Sequence, residues 1–166
     1  EDSVRTIGEI ARRRLGERIV FVTDRGVRSA GLADGALAAL AEAGRAVDIV
    51  DTVVADPPET VVREAAAHAA AFGATGVIGF GGGSPMDVAK LVALLAPGQE
   101  ALSDVYGVGF AKGPRLPLVL VPTTAGTGSE VTPISIVTTG ENEKKGVVSP
   151  VLLPDVALLD PLLTLG

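Results

Sequence analysis

The chain has 166 residues, with 20 acidic and 14 basic side chains, a formal net charge of −6 and no cysteine. The lack of cysteine excludes disulfides and thiolate metal sites. The acidic balance, with no basic run, argues against nucleic-acid binding, because phosphate neutralisation needs clustered lysine and arginine. No apolar run reaches the roughly 20 residues of a membrane-spanning helix, and no signal-peptide pattern opens the chain. We therefore expect a cytoplasmic protein that binds neither membranes nor nucleic acid.

Short apolar runs alternate with stretches of helical periodicity along most of the chain. Helical spacing at 4–15 precedes an apolar run at 18–23, and a helix at 32–43, followed by Gly44, leads to a second run at 46–50. A helix at 59–72 leads to a third run at 76–80, and a helix at 85–95 and a loop at 97–113 lead to a fourth at 117–121. Because 47% of the residues are hydrophobic but only 3% aromatic, the core must be largely aliphatic. This alternation predicts an α/β fold, a Rossmann-like, doubly wound, mainly parallel sheet with flanking helices.

The pattern changes after Thr123. Segments 131–138 and 146–149 flank a polar turn at 140–144, and 156–159 is a further apolar run. We interpret the first two as a peripheral β-hairpin laid against the sheet, and the last as another strand. With no internal repeat or linker in the sequence, we expect one domain over 1–166.

The strongest local signal is GFGGGSPMD at 79–87, between a predicted strand and a helix with Pro85 in its first turn. Glycines let the backbone approach a ligand, and a helix N-terminus offers free N–H groups and a positive dipole to phosphate. The same glycines also suit a ligand-free turn. The spacing Gly-x-Gly-x-x-Ser differs by one residue from the dinucleotide fingerprint and follows the third strand rather than the first. It therefore favours a phosphate without naming the nucleotide.

Two further segments end predicted strands with polar groups. The loop PTTAGTGSE at 122–130 offers hydroxyls for phosphate and ribose, although such residues also serve as turn and cap residues. Asp24 ends the first strand, where a carboxylate can accept hydrogen bonds from an adenosine ribose and repel a 2′-phosphate, favouring NAD over NADP. A turn or helix-cap role for Asp24 is equally compatible with its position.

Other polar residues carry no clear chemistry. The single histidine, His68, lies in an alanine-rich helix far from both loops, and we interpret it as structural or exposed. Because zinc and iron sites need several convergent ligands, we expect neither a metal site nor a catalytic residue within this chain. We interpret Asp155 and Asp160 as residues at the boundaries of a strand.

Three ordered motifs resemble the iron-containing (group III) alcohol dehydrogenase family: GFGGGSPMDVAK at 79–90, PTTAGTGSEVTP at 122–133 and KKGVVSPVLLPDVALLDPLLT at 144–164. The form TAGTGSE at 124–130 fits this branch better than the related glycerol dehydrogenases, dehydroquinate synthases or maleylacetate reductases. The resemblance implies the NAD-binding domain of an enzyme in which Fe²⁺ or Zn²⁺ binds an alcohol oxygen and a hydride passes between an alcohol/aldehyde pair and nicotinamide.

The resemblance also implies a set of cofactor contacts. Asp24 would face the adenosine ribose, and Asp87 would lie near the pyrophosphate. The residue that reaches the ribose on the nicotinamide side would be Lys144, or Lys145 if the loop length shifts. Asp56 stands where the family more often has Asn, which leaves a contact there open. The remaining implied contacts are Gly82, Gly83 and Ser84 for the pyrophosphate, Thr123, Thr124 and Thr127 along the cleft, and Leu163 packed near the cofactor.

The metal ligands of the family, one Asp and three His, lie in a helical domain that would follow Gly166, and a strand and glycine turn usually precede the opening helix. We therefore expect a fragment or excised domain that is not catalytically competent alone. The resemblance also allows for a homodimer. The alternative is a non-catalytic phosphate-ligand module or an interaction module.

Overall fold

The computed structural model describes residues 2–140 and 143–165. Its first half, after a 3₁₀ turn at Ser3–Thr6, contains α1 (Ile7–Arg14), β1 (Arg18–Val22), α2 (Arg25–Ser29), α3 (Asp34–Glu42), β2 (Ala46–Val50) and α4 (Glu59–Phe72). The second half contains β3 (Gly76–Gly81), α5 (Gly83–Leu95), α6 (Leu102–Val105), β4 (Gly107–Val108), β5 (Leu118–Pro122), β6 (Ile134–Thr139), β7 (Glu143–Val148) and β8 (Val156–Ala157). Short 3₁₀ turns at Ser129–Val131, Pro150–Leu152 and Pro161–Thr164 join the last elements.

Five strands form a parallel sheet in the order β2-β1-β3-β5-β8. The central strands are aliphatic and buried along nearly their whole length, as expected of a sheet covered on both faces. Because the strands are parallel, the carboxyl ends of β1, β3 and β5 lie at the same sheet edge. The residues that follow them, beginning with Thr23, Gly82 and Thr123, therefore come together there.

The side chains of alternate strand residues pack into two separate cores, one on each face of the sheet. Val20, Val77 and Leu120 pack with residues of α4 and α5 on one face. Phe21 and Phe80 pack with residues of α1 and α3 on the other, and their rings stack with centroids 5.3 Å apart. Helices on both faces of a mainly parallel sheet confirm the predicted doubly wound α/β fold.

Gly79 allows α5 to lie close to the sheet. A Cβ atom at this position would lie 2.6 Å from the Cβ of Ala89 and 2.7 Å from Cδ2 of Leu120, both inside van der Waals contact. Any side chain at Gly79 would push α5 away from β3. The contact fixes the N-terminus of α5 beside the carboxyl end of β3.

Several elements differ from the sequence expectation. The five-residue α2 follows Asp24 where no helix is predicted, because so short a segment shows no periodicity. Helix α5 begins at Gly83, two residues before Pro85, since glycines give no helical signal. The two-residue β4, predicted as loop, pairs in parallel with β7 in a second sheet of order β4-β7-β6.

The hairpin of β6 and β7 is present, but β6 packs against α5 and α4 rather than against the five-stranded sheet. Two residues of its predicted turn, 141 and 142, lie outside the described residues. Among the helices that are described, none has the length and apolarity needed to cross a membrane.

Candidate functional site

The turn between β3 and α5 separates two neighbouring cavities. Gly81 has a φ of +148°, and a Cβ there would lie 2.8 Å from Cγ of Pro85, so this turn requires glycine. Helix α5 begins immediately afterwards, and the first N–H groups of a helix have no partners within it. Gly83 and Ser84 line both cavities. An anion at this turn would contact free donors and the positive end of the helix dipole.

The first cavity, of about 630 Å³, lies between this turn and the ends of β1, β2 and β5. Asp24, Gly82, Thr123 and Thr124 are among the residues that line it. The segment after β2 contributes both polar and apolar residues, Asp51 and Thr52 followed by Val53, Val54 and Ala55, and the side chain of Val54 is exposed. A cavity that combines apolar side chains with hydroxyl and carboxylate groups suits a nucleoside.

Asp24 is at once a helix cap and a cavity residue. Its Oδ1 accepts a hydrogen bond from the backbone N–H of Val27 at 2.9 Å, which caps α2. The side chain also lines the first cavity, and its Oδ2 lies 3.4 Å from the Cβ position of Gly81. The sequence left open whether Asp24 contacts a ribose or caps a helix, and this geometry is compatible with both roles.

The second cavity has a volume of about 370 Å³. It lies between the start of α5, the loop that precedes α4 and the hairpin of β6 and β7. Asp87, Thr127 and Lys144 line it together with Asp56. The ammonium of Lys144 lies 2.6 Å from Oδ1 of Asp56, and both side chains are more than half exposed. The neighbouring Lys145 instead lies near Glu143 and over the ring of Tyr106. The structure thus places Lys144, and not Lys145, at this cavity.

Asp87 lies near the start of α5, as the family resemblance implies, and its carboxylate accepts hydrogen bonds from other parts of the chain. Oδ1 accepts a hydrogen bond from Oγ of Ser129 at 2.6 Å, and Oδ2 accepts one from the backbone N–H of Ile136 at 3.1 Å. Asp87 therefore connects α5 to the loop after β5 and to β6. Its side chain is 17% exposed, so it forms part of the cavity lining while bonded behind it.

Lys90 is a buried charge that sequence reasoning missed. Its side chain is 0% exposed, and its ammonium donates to Oγ of Ser129 at 2.9 Å, Oγ1 of Thr132 at 3.3 Å and the carbonyl of Ile134 at 2.7 Å. Burial lowers the pKa of Lys90, and the nearby carboxylate of Asp87 opposes this effect. A lysine three residues after an aspartate, in an otherwise apolar stretch of helix, is the signal that could have revealed this pair.

Three other residues lie apart from the two cavities. Leu163 is buried in the core with Val4 and Leu158 and lines neither cavity. His68 is half exposed, with its Nε2 2.7 Å from Oδ2 of Asp48. Asp160 is almost fully buried and accepts hydrogen bonds from the backbone N–H groups of Val4 and Leu162.

A metal site is not formed by the part of the chain that the structure describes. Over residues 2–140 and 143–165, no three histidine, aspartate or glutamate side chains converge as a bound metal ion would require. The two cavities instead offer a glycine backbone, several hydroxyls, the guanidinium of Arg25 and the exposed ammonium of Lys144. Four carboxylates also line them, those of Asp24, Asp51, Asp56 and Asp87.

Comparison with known proteins gives consistent matches along the chain. A family model described as iron-containing alcohol dehydrogenase matches residues 1–161. A 4-hydroxybutyrate dehydrogenase of Cupriavidus necator is 40% identical over 158 residues, which cover 92% of this chain and 41% of that protein. The chain thus spans about two-fifths of the length of this curated relative.

Solved structures agree with this match. A crystal structure of a 1,3-propanediol oxidoreductase superposes with a TM-score of 0.94 at 35% identity, over 99% of this chain and 44% of that one. A sulfoacetaldehyde reductase of Bifidobacterium kashiwanohense, solved in complex with NAD⁺, superposes with a TM-score of 0.87 at 32% identity, over 99% and 44%.

Proposed function

The chain belongs to the iron-containing alcohol dehydrogenase family, and we propose that residues 1–166 bind NAD(H) across the first and second cavities. The observation that carries the proposal is the turn at Gly81–Ser84. It lies between the two cavities, it presents the free N-terminus of α5, and it has few side chains to block a ligand. A dinucleotide has this same arrangement, two nucleosides joined by an anionic pyrophosphate.

The glycines of the turn leave room for the pyrophosphate. A Cβ at Gly82 would lie 3.5 Å from Oγ1 of Thr124, and a Cβ at Gly83 would lie 3.4 Å from Cγ2 of Thr127. Side chains there would occupy the space between α5 and the loop after β5. Without them, backbone N–H groups and threonine hydroxyls can donate to phosphate oxygens from both sides.

The two cavities differ in a way that gives the dinucleotide a direction. The first cavity has apolar side chains such as Val54 for an adenine ring and the carboxylate of Asp24 for a ribose diol. The second cavity is lined by Thr127, Asp87 and Lys144, which suit the ribose and carboxamide of nicotinamide. Asp24 would repel a 2′-phosphate, so we expect NAD(H) to bind more tightly than NADP(H).

In a longer protein of this family, the bound nicotinamide would supply the hydride acceptor or donor for an alcohol/aldehyde pair. The residues described here would bind the cofactor, orient the ring and exclude water from one side of it. They do not provide a metal site, so the iron that the family name implies would need ligands from elsewhere. The relatives include a sulfoacetaldehyde reductase, a 4-hydroxybutyrate dehydrogenase and a 1,3-propanediol oxidoreductase, which differ in their substrates.

Calorimetric titration of the 166-residue chain with NADH tests the proposal. We expect saturable 1:1 binding, and an increase in unfolding free energy of about 2.7 kcal/mol at a hundred times the Kd. Gly83→Val is the matched variant, because its side chain would fill the pyrophosphate position and abolish binding. No heat and no thermal protection with the unmodified chain would contradict the proposal.

ADP in the same titration separates this proposal from a simple phosphate-ligand module. A dinucleotide site should bind NADH more tightly than ADP, because the second cavity contributes only to NADH. Equal affinities would favour the phosphate-ligand alternative. Binding of neither, together with concentration-dependent light scattering, would favour an interaction module.

A further inference from the structure

The ammonium of Lys90 lies directly behind the second cavity without lining it. Its three hydrogen-bond acceptors are Oγ of Ser129, Oγ1 of Thr132 and the carbonyl of Ile134, and its ion-pair partner is Asp87 at 3.5 Å. All four of these residues line the second cavity, whereas Lys90 does not. We call Asp87, Ser129, Thr132 and Ile134 the polar wall.

Apart from Asp87, which belongs to α5, the polar wall has little regular structure of its own. Ser129 and Thr132 belong to a 3₁₀ turn and its end, and Ile134 is the first residue of β6. Within this stretch, the backbone bond from Thr132 to Ser129 is long, at 3.3 Å. The bonds from Lys90, and those that Asp87 accepts from Ser129 and Ile136, connect the stretch to the rigid helix α5. Removing these bonds would leave the polar wall free to adopt other arrangements.

A buried charge is costly unless it is fully hydrogen-bonded and paired, and an apolar side chain of similar size would stabilise such a core equally well or better. Here three acceptors satisfy the three donors of the ammonium. Burial lowers the pKa of Lys90, and the negative charges of Asp87 and, to a smaller extent, Glu130 oppose this lowering. The arrangement therefore points to a role in fixing geometry rather than to a gain in stability.

We propose that Lys90 is a positioning residue that holds the polar wall in the arrangement needed by the nicotinamide half of the cofactor, without touching the cofactor itself. The identity of the ligand in this inference rests on the proposed function. The structural step, in which Lys90 orders the segment 129–134 against α5, is independent of the proposed function. None of the residues of this network lines the first cavity, where the adenosine half would bind.

Lys90→Met is the direct variant, since methionine retains an unbranched apolar stem and removes the ammonium. The polar wall then loses three bonds, and Asp87 loses its buried countercharge. Leu91→Ala is the matched control, because Leu91 is also fully buried on α5 but packs in the apolar core away from both cavities. It lowers stability without changing the polar wall. Thr132→Val removes a single acceptor at nearly constant shape and decides the question if Lys90→Met does not fold.

Affinities for NADH and ADP provide the functional readout. With Lys90→Met we expect the Kd for NADH to rise about tenfold and the Kd for ADP to change less than about twofold. Thr132→Val should shift the same ratio in the same direction by a smaller factor. Leu91→Ala should leave the ratio unchanged. An unchanged NADH-to-ADP ratio in Lys90→Met, or in Thr132→Val if only that variant folds, would overturn the proposal.

Amide hydrogen exchange on the ligand-free chain tests the role of Lys90 separately from the proposed function. Lys90→Met should raise exchange selectively at 129–134, whereas Leu91→Ala should raise it along α5 and the core. If the unmodified chain bound neither nucleotide, the proposed function would fail, and exchange alone would decide the structural step. Unchanged protection at 129–134 would then overturn the role of Lys90.

Discussion

The two oxygens of the Asp24 carboxylate have different surroundings. Oδ1 accepts from the N–H of Val27, and Oδ2 lies toward the glycine turn at the first cavity. A change at this position therefore affects both the stability of α2 and the charge of the cavity. Asparagine separates the two effects, because it is also a good N-cap residue but carries no charge.

Asp24→Asn should change cofactor preference with little effect on stability. Removing the carboxylate relieves its repulsion of a 2′-phosphate, so the affinity for NADPH relative to NADH should rise about tenfold. Competition titrations with both cofactors measure this ratio. Asp104→Asn, exposed on α6 and away from the cavities, is the control. If the ratio stayed constant in Asp24→Asn, the adenosine ribose would not lie at this carboxylate.

Asp160 links the two ends of the described chain and gives stability a dependence on acid. Hydrogen bonds from the backbone N–H groups of Val4 and Leu162 lower the pKa of Asp160, and the first of these is the largest cause. Because its folded pKa lies below its unfolded pKa, its contribution is present above the unfolded value of about 3.9 and is lost as pH falls through the folded value.

Asp160→Asn should therefore flatten the loss of stability below about pH 4, because asparagine does not titrate. Urea unfolding across the acid range measures the slope. The exposed Asp34, with a side chain 74% accessible, provides the matched control, and Asp34→Asn should leave the slope nearly unchanged. An equal slope in Asp160→Asn and the unmodified chain would show that Asp160 does not contribute to the acid dependence of stability.

At the scale of elements, Gly79 sets the distance between α5 and β3. Gly79→Ala should lower the unfolding free energy by about 1–3 kcal/mol, because the new methyl would overlap Ala89 and Leu120. Gly35→Ala is the control: Gly35 lies in α3, nothing lies within 4 Å of its Cβ position, and alanine there should stabilise by about 0.5–1 kcal/mol. Denaturant unfolding compares the two. A neutral Gly79→Ala would mean that α5 can shift without cost.

The alternation of side chains along β7 makes Lys144 and Lys145 a matched pair. Neighbouring strand residues point to opposite sides, and only Lys144 lines the second cavity. Lys144→Met should weaken NADH binding about threefold to tenfold, whereas Lys145→Met should have no effect. Titration of both variants measures the difference. Equal effects, or a larger effect at Lys145, would place the nicotinamide ribose elsewhere.

At the scale of the whole molecule, the order of strands and helices could be predicted because apolar runs such as 76–80 and 117–121 are long enough to show burial. The positions of Asp24, Gly82 and Thr123 at one sheet edge follow from that order and from the parallel pairing of β1, β3 and β5. The family resemblance favoured Lys144 and left Lys145 open, because the loop length was not fixed by the sequence. The register of β6 with β7 shows that Lys144, and not Lys145, lines the second cavity.

The network around Lys90 was not predictable for a different reason. The spacing of three residues could have indicated the pair of Asp87 and Lys90. The other partners, Ser129, Thr132 and Ile134, lie about 40 residues further along the chain, and neither spacing nor composition shows that they meet Lys90. The short α2 and β4 were missed because five and two residues show no period. Leu163 packs in the core and lines neither cavity, and the proximity to the cofactor that the family resemblance implies for it stays a prediction.

The central claim is that the two cavities form one dinucleotide site around the turn at Gly81–Ser84. Amide chemical-shift mapping of the 166-residue chain with ADP and then with NADH tests it most directly. Both ligands should shift amides at 81–84, at Asp24 and at 123–124, and NADH alone should also shift those at Thr127 and Lys144. Shifts that cluster elsewhere, for example around His68, or that are identical for the two ligands, would contradict the account.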